Sequence, residues 1–134
     1  MKRDRKALIS KQNACNFSSS IFWKGGPLML ENKFQANLIK KIKKEFPGCY
    51  VLKNDPTYLQ GVPDLLVLYK NRWAALECKK SANARHQPNQ DYYVGQMNEM
   101  SFSRFIYPEN EQEVLAELKH NFEKRLGEES YEIL

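Results

Sequence analysis

Two carboxylates, Asp64 and Glu77, stand at the ends of very apolar stretches. A carboxylate beside a core is costly unless it is paired or bound to a cation. Twelve residues separate the two, and that interval reads as a hairpin. Leu65-Leu66-Val67-Leu68-Tyr69 is one strand, Lys70-Asn71-Arg72 the turn, and Trp73 to Lys79 the next strand. With Lys70 and Asn71 as a two-residue turn, Tyr69 faces Arg72 and Asp64 lies opposite Glu77. A turn shifted by one residue brings Asp64 to Lys79 instead. Either register gathers the three groups at one end of the hairpin. Side-chain alternation places Glu77 and Lys79 on one face and Cys78 on the other.

Two carboxylates a few ångströms apart repel each other unless a cation lies between them. Oxygen ligands of this kind suit a hard divalent ion such as Mg²⁺. Lys79 beside them is able to orient a water, or help deprotonate it, for attack on phosphorus. The cation lowers the pKa of that water and offsets charge on the transition state. The competing reading is a structural salt bridge from Lys79 to Asp64 or Glu77. Spacing alone does not choose between them.

The elements that must hold these residues are legible around them. Phe34, Leu38, Ile42 and Phe46 recur every four residues, with Ile39 beside them, and predict a helix over Leu30 to Phe46. Lys40, Lys41, Lys43 and Lys44 load its outer face, and Pro47-Gly48 ends it. Glu31 sits in its first turn, where compensation of the helix dipole accounts for it without any further role. Cys49 to Lys53 reads as a short strand. The scarcity of polar residues in the two hairpin strands predicts a central place covered on both faces. After a polar loop from Lys80 to Asn89, a helix is expected from about Gln90 to Met100, with Tyr93, Met97 and Met100 as its apolar stripe. Phe102 to Tyr107 is a further strand. Glu109 to about Leu126 is the last helix, buried through Val114, Leu115, Leu118 and Phe122. This order predicts a small α/β domain with a mixed sheet flanked by helices.

At 134 residues the chain suits one domain with one core. No run of apolar residues is long enough to span a membrane. The basic start is followed by a polar mixture rather than by a signal-peptide core, so a cytoplasmic setting is expected, in a bacterial host if the chain is phage-encoded. Cys15, Cys49 and Cys78 are widely spaced and form no CxxC pair, which disfavours a disulfide framework or a thiolate zinc site. His86 and His120 lie in polar stretches and suggest no ligand pair. Residues 1–28 carry a net charge of +5, residues 29–108 another +5, and residues 109–134 a net −5. A basic body with an acidic tail is compatible with a polyanionic partner. Residues 1–28 lack periodicity and end near Lys24-Gly25-Gly26-Pro27. They read as a basic, flexible extension before a domain over 29–126, with a tail at 127–134.

Gly61-Val62-Pro63-Asp64, twelve residues, then Glu77-Cys78-Lys79 resembles the PD-(D/E)xK nuclease motif. With the early Glu31 and the downstream Gln90, the pattern is similar to the VRR-NUC branch, over roughly Met29 to Leu118. The resemblance implies a restriction-endonuclease-like core and metal-dependent cleavage of DNA, on branched or otherwise structured substrates like those of Holliday-junction resolvases. It implies that Asp64, Glu77, the Cys78 carbonyl and Glu31 hold Mg²⁺, with Mn²⁺ able to substitute. Lys79 would be the catalytic lysine, and Gln90 would steady the site, with Gln87 a nearby competitor. Lys40, Lys41, Lys43, Lys44, Lys80 and Arg85 would grip phosphates. Such contacts position DNA without reading its sequence. Tyr92, Tyr93 and Trp73 are candidate base contacts or core residues. A homodimer is expected, because a branched substrate presents two strands to cut. Trp73, Tyr92, Tyr93, Met97, Met100, Phe102, Phe105 and Tyr107 are candidates for the interface. The rival readings are a catalytically inactive nucleic-acid-binding module, a nuclease of structured RNA, and a structural scaffold.

Overall fold

The structure, a computed structural model, describes residues 27–124. The expected extension over 1–28 and tail over 127–134 therefore lie almost wholly outside the described residues. The exceptions are Pro27 and Leu28, which belong to the first helix. The elements run α1 (Pro27–Glu45), β1 (Tyr50–Lys53), β2 (Leu65–Tyr69), β3 (Arg72–Cys78), α2 (Pro88–Met100), β4 (Phe102–Ile106) and α3 (Glu111–Glu123). The four strands form one mixed sheet in the order β1-β2-β3-β4, flanked by the three helices. Among the described residues no helix is long and apolar enough to cross a membrane.

The β2–β3 hairpin sets the frame. Its register pairs Tyr69 with Arg72 and Leu65 with Leu76, so Lys70 and Asn71 form a two-residue turn. Lys70 takes the left-handed φ of 55° at the first turn position, a requirement of hairpin turns whose twist matches that of their strands. β1 extends the sheet antiparallel to β2, and β4 adds parallel to β3 with Glu77 beside Phe105.

One face of the sheet carries the main core. Leu38, Ile42 and Phe46 of α1 and Val114, Leu118 and Phe122 of α3 pack with Leu65, Val67, Ala74, Leu76, Cys78, Phe102 and Ile106. The four-residue spacing in α1 thus marks its buried stripe. At the turn end, Phe46, Tyr69 and Phe122 meet with ring centroids 5.1–5.5 Å apart. This cluster ties both helices to the hairpin.

The second face is only half covered. α2 packs on β3 and β4, and its buried residue is Val94 rather than the expected stripe of Tyr93, Met97 and Met100. Met100 is 72% exposed, because the chain turns into β4 directly after it. Leu66 is partly exposed, and Leu68, Leu52 and Tyr50 are exposed. β2 is therefore central in order yet open on one side, against the expectation of cover on both faces. Its apolar sequence reflects one core face and one uncovered face.

The outer edge of β4 is closed by side chains. The Asn98 Oδ1 accepts from the Ser103 amide at 3.2 Å, Arg104 donates to the Ser103 carbonyl at 2.8 Å, and Asn110 Nδ2 donates to the Phe105 carbonyl at 3.0 Å. Such capping blunts strand addition at that edge. Asn110 Oδ1 also accepts from the Tyr107 amide at 2.8 Å, so α3 starts at Glu111 rather than at Glu109.

Gly61 joins the β1–β2 loop to the start of α2. Its φ is +91°, and a Cβ there would stand 2.3 Å from Asn89 Cβ and 2.9 Å from the Asn89 carbonyl carbon. Gly48 has a similar φ of +88° with nothing within 4 Å of such a Cβ. The two glycines separate backbone strain from steric contact. Gly48→Ala is expected to cost about 1–2 kcal/mol, the left-handed penalty. Gly61→Ala is expected to cost a further 1–3 kcal/mol, roughly the range for overpacking. Urea denaturation of both variants checks this, and equal losses would contradict the close contact.

Candidate functional site

The hairpin end opposite the aromatic cluster gathers the polar residues singled out by sequence. Asp64 immediately precedes Leu65, the first residue of β2 and the terminal partner in the β1–β2 ladder. Its carbonyl accepts from the Asn54 amide at 2.9 Å, and Asn54 Nδ2 donates to the Pro63 carbonyl at 2.7 Å. The Asp64 side chain reaches across the hairpin, where Oδ2 accepts from the Cys78 amide at 3.0 Å. The observed register continues past Leu65–Leu76 to set Asp64 against Glu77. The alternative shift toward Lys79 is excluded.

Glu77 is 2% exposed. Its Oε1 accepts from Gln90 Nε2 at 3.1 Å. Its Oε2 is sealed from solvent without a donor, a condition shared among the described residues only with Ser103 Oγ. Burial first, and then the charge of Asp64, push the Glu77 carboxyl up to about 9. The two carboxyls are hydrogen-bonded to each other, and as a pair they hold a proton to higher pH than free carboxyls do. Burial also raises Asp64, against the hydrogen bond from Cys78.

Lys79 is 6% exposed and continues β3, with its amide donating to the Ile106 carbonyl at 2.9 Å. Its Nζ donates to Gln90 Oε1 at 2.7 Å and to the Arg85 carbonyl at 3.2 Å. Among the described residues no ion pair joins it to Asp64 or Glu77. The simple salt-bridge reading is therefore replaced by a bridge through an amide. Gln90 connects the two charged groups, accepting from Lys79 and from the Gln87 amide at 3.0 Å while donating to Glu77. Between the two glutamines, the side chain on the site is that of Gln90. Two of the three ammonium protons of Lys79 are thus committed.

Glu31, half-buried on α1, completes the acidic group. Its carboxyl is raised by burial and then by Asp64, while Lys79 and Lys80 act in the opposite sense. Because α1 begins at Pro27, Glu31 stands beyond the first turn where it was expected, and helix-dipole compensation does not account for it. Gln35, one turn along α1, stands beside the Cys78 thiol and acts against the burial that pushes this thiol well above its ordinary value. That residue was missed, although its spacing of four from Glu31 puts it on the same helix face. Lys53, which favours ionised Asp64, was also missed. It pairs in the sheet with Leu65, the residue directly after Asp64.

The remaining basic residues divide. Lys80 and Arg85 belong to the loop that leaves β3 at the site. Lys40, Lys41, Lys43 and Lys44 are exposed but lie about 14–20 Å along α1 from Glu31, at 1.5 Å per residue. Lys41 is paired with Glu111 at 2.8 Å. Among the described residues no group of three or more His, Cys, Asp and Glu side chains converges closely enough to form a metal cage. The closest acidic contact is the Asp64–Glu77 pair, with Glu31 further out. In comparisons with known proteins, the chain matches no family model, no curated protein and no solved structure.

The raised Glu77 carboxyl makes stability depend on pH. The unfolded chain loses this proton near 4.5 and the folded chain near 9. Between those values the folded state binds more protons. The stabilising effect is complete below the lower value and is lost as pH rises through the upper one. Without divalent cations, stability is expected to fall from pH 5 to pH 9. Glu77→Gln should flatten that slope and add about 1–3 kcal/mol at pH 8, the scale of one to two pKa units. Thermal denaturation in EDTA measures it, and an unchanged slope would contradict the buried pair.

Proposed function

We propose that this chain is a divalent-cation-dependent endodeoxyribonuclease of the PD-(D/E)xK type, from the VRR-NUC branch, acting on branched or flexible DNA. The observation that carries the reading is Glu77: a buried carboxyl without a donor on one oxygen, against Asp64, with a lysine held two residues away. A stability-driven core would not gather these groups, since an apolar replacement avoids the desolvation.

The residues present fit a divalent cation. Asp64, Glu77 and the Cys78 carbonyl would hold Mg²⁺ or Mn²⁺, with Glu31 contributing directly or through water. Mg²⁺ commonly uses one or two carboxylates and keeps several waters, so a three-carboxylate cage is not required. Such a cation supplies neutralisation of charge on the phosphate and acidification of water. With a cation held there, the proton shared by Asp64 and Glu77 would pass to solvent, leaving both carboxylates ionised as ligands. Lys79 orients the attacking water through its uncommitted proton and offsets negative charge growing on the phosphate oxygens. Gln90 fixes the distance between Lys79 and Glu77, so neither collapses onto the other.

Lys80, Arg85 and Lys53 surround the reacting end and would bind the phosphates nearest the cut. Lys40, Lys43 and Lys44 would meet the duplex farther away. The enzyme is proposed to act as a homodimer. The open half of the second sheet face supports this, with a groove of about 380 Å³ lined by Leu66, Leu68, Trp73, Ala75 and Met97 among others. Of the expected interface residues, Phe102 is instead in the core, while Tyr92 is 61% exposed.

Labelled linear, nicked, flapped and four-way DNA, with matched RNA, tests the activity in Mg²⁺, Mn²⁺ and EDTA. Cation-dependent cutting of DNA alone is expected. Cutting of RNA alone would move the substrate class, and binding without cutting would favour the inactive module. Asp64→Ala and Glu77→Ala should abolish cleavage. Lys79→Ala should retain cation and DNA binding but cut at least about 100-fold more slowly, the low end for acid–base assistance. Glu31→Ala should be milder. Full activity in Asp64→Ala would sink the site. Light scattering over a range of concentrations tests the dimer, and a particle of 15.7 kDa throughout contradicts it.

A further inference from the structure

The loop from Lys80 to Gln87 connects β3 to α2 and contains a histidine that the proposed chemistry does not use. The His86 ring stacks on Phe105, with centroids 3.9 Å apart and planes 14° from parallel. Its Nδ1 lies 3.0 Å from Asp91 Oδ1, in the first turn of α2. The side chain is 31% exposed. One ring therefore fastens the loop both to β4 and to α2.

The place of this clamp gives it a consequence. Phe105 is the register neighbour of Glu77 on the parallel strand, so His86 is stacked against the residue beside the buried carboxylate. The residues on either side of His86 each supply a backbone group to the site. The Arg85 carbonyl accepts from Lys79 Nζ at 3.2 Å, and the Gln87 amide donates to Gln90 Oε1 at 3.0 Å. These two groups hold the side chains that bracket Glu77. The loop's other tether, the Ala82 amide on Glu109 Oε2 at 3.2 Å, lies farther back and touches neither.

We propose that His86 is a positioning residue for this site. Its stack on Phe105, helped by Asp91, fixes the backbone of residues 85–87 so that Arg85 and Gln87 aim Lys79 and Gln90. The role needs no proton transfer by the imidazole. An aromatic ring of similar size therefore substitutes for most of it, and a small side chain does not. The inference rests on the nuclease reading for its effect on cleavage but not for its effect on Lys79.

The test uses the full chain and two readouts. The first is the side-chain ammonium signal of Lys79 by ¹⁵N-detected lysine spectroscopy, in EDTA. A held ammonium exchanges slowly with water and gives a resolved signal. His86→Ala is expected to lose that signal, His86→Phe to keep it, and Glu109→Ala, which loosens the same loop elsewhere, to keep it too. Should His86→Ala fail to fold, Phe105→Leu removes the stack from the other side and carries the same expectation. The second readout is steady-state cleavage of labelled four-way DNA with Mn²⁺ over a range of DNA concentrations. His86→Ala should lower kcat at least about tenfold with little change in KM, the pattern of an interaction made in the transition state. His86→Phe should recover most of it. An unchanged Lys79 signal in His86→Ala, or equal loss in His86→Phe and Glu109→Ala, overturns the proposal. If the unaltered chain cuts nothing, the nuclease reading fails, and the Lys79 signal still decides the role of His86.

Discussion

Asp64 and Glu77, two carboxyls that burial pushes toward the protonated form, sit at the open end, opposite the turn, of a hairpin whose register admits no slip. That constraint organises the molecule. A shift by one residue would turn Asp64 away from Glu77 and would also exchange the buried and open faces of both strands. The core therefore enforces the register, and the register enforces the meeting of the carboxyls. Leu65, Val67, Ala74 and Leu76 hold the one, and Asp64 on the Cys78 amide records the other.

The surrounding elements act as braces on that end. α1 approaches on one face, bringing Glu31 toward Asp64 and Gln35 to the Cys78 thiol. α2 approaches on the other, bringing Gln90 between Lys79 and Glu77. Gly61 sets how closely the β1–β2 loop meets α2, because its missing side chain leaves room for Asn89. The aromatic cluster of Phe46, Tyr69 and Phe122 fastens the far end. Groups held on strands and helices in this way are placed more tightly than groups on loops alone.

Much of this was written in local sequence. The four-residue stripe of α1, the apolar hairpin strands and the punctuation at Pro47-Gly48 each follow from a short-range rule, and each element formed within a few residues of its expected bounds. The pairing of Asp64 with Glu77 was legible as one of two registers, and the turn geometry at Lys70 chose between them. What escaped depends on contacts distant in sequence. The burial of Val94 rather than Met100 depends on where α2 meets β3. The open face of β2 depends on how far α2 reaches across the sheet. Lys53 and Gln35 join the site only because β1 ends, and α1 begins, beside it. The partnership of Lys79 with Gln90, in place of a direct ion pair, is likewise a product of packing. No spacing rule relates two side chains eleven residues apart across a loop.

The central claim is that Asp64 and Glu77 together hold a divalent cation. Calorimetric titration of the full chain with Mn²⁺ near pH 7.5, in buffers of different ionisation enthalpy, tests it most directly. Metal binding to protonated ligands releases their protons. The account predicts saturable binding accompanied by release of about one proton, the one Glu77 shares with Asp64. It also predicts loss of both binding and proton release in Asp64→Asn. Saturable binding that persists unchanged in Asp64→Asn, or no binding in the unaltered chain, would contradict it.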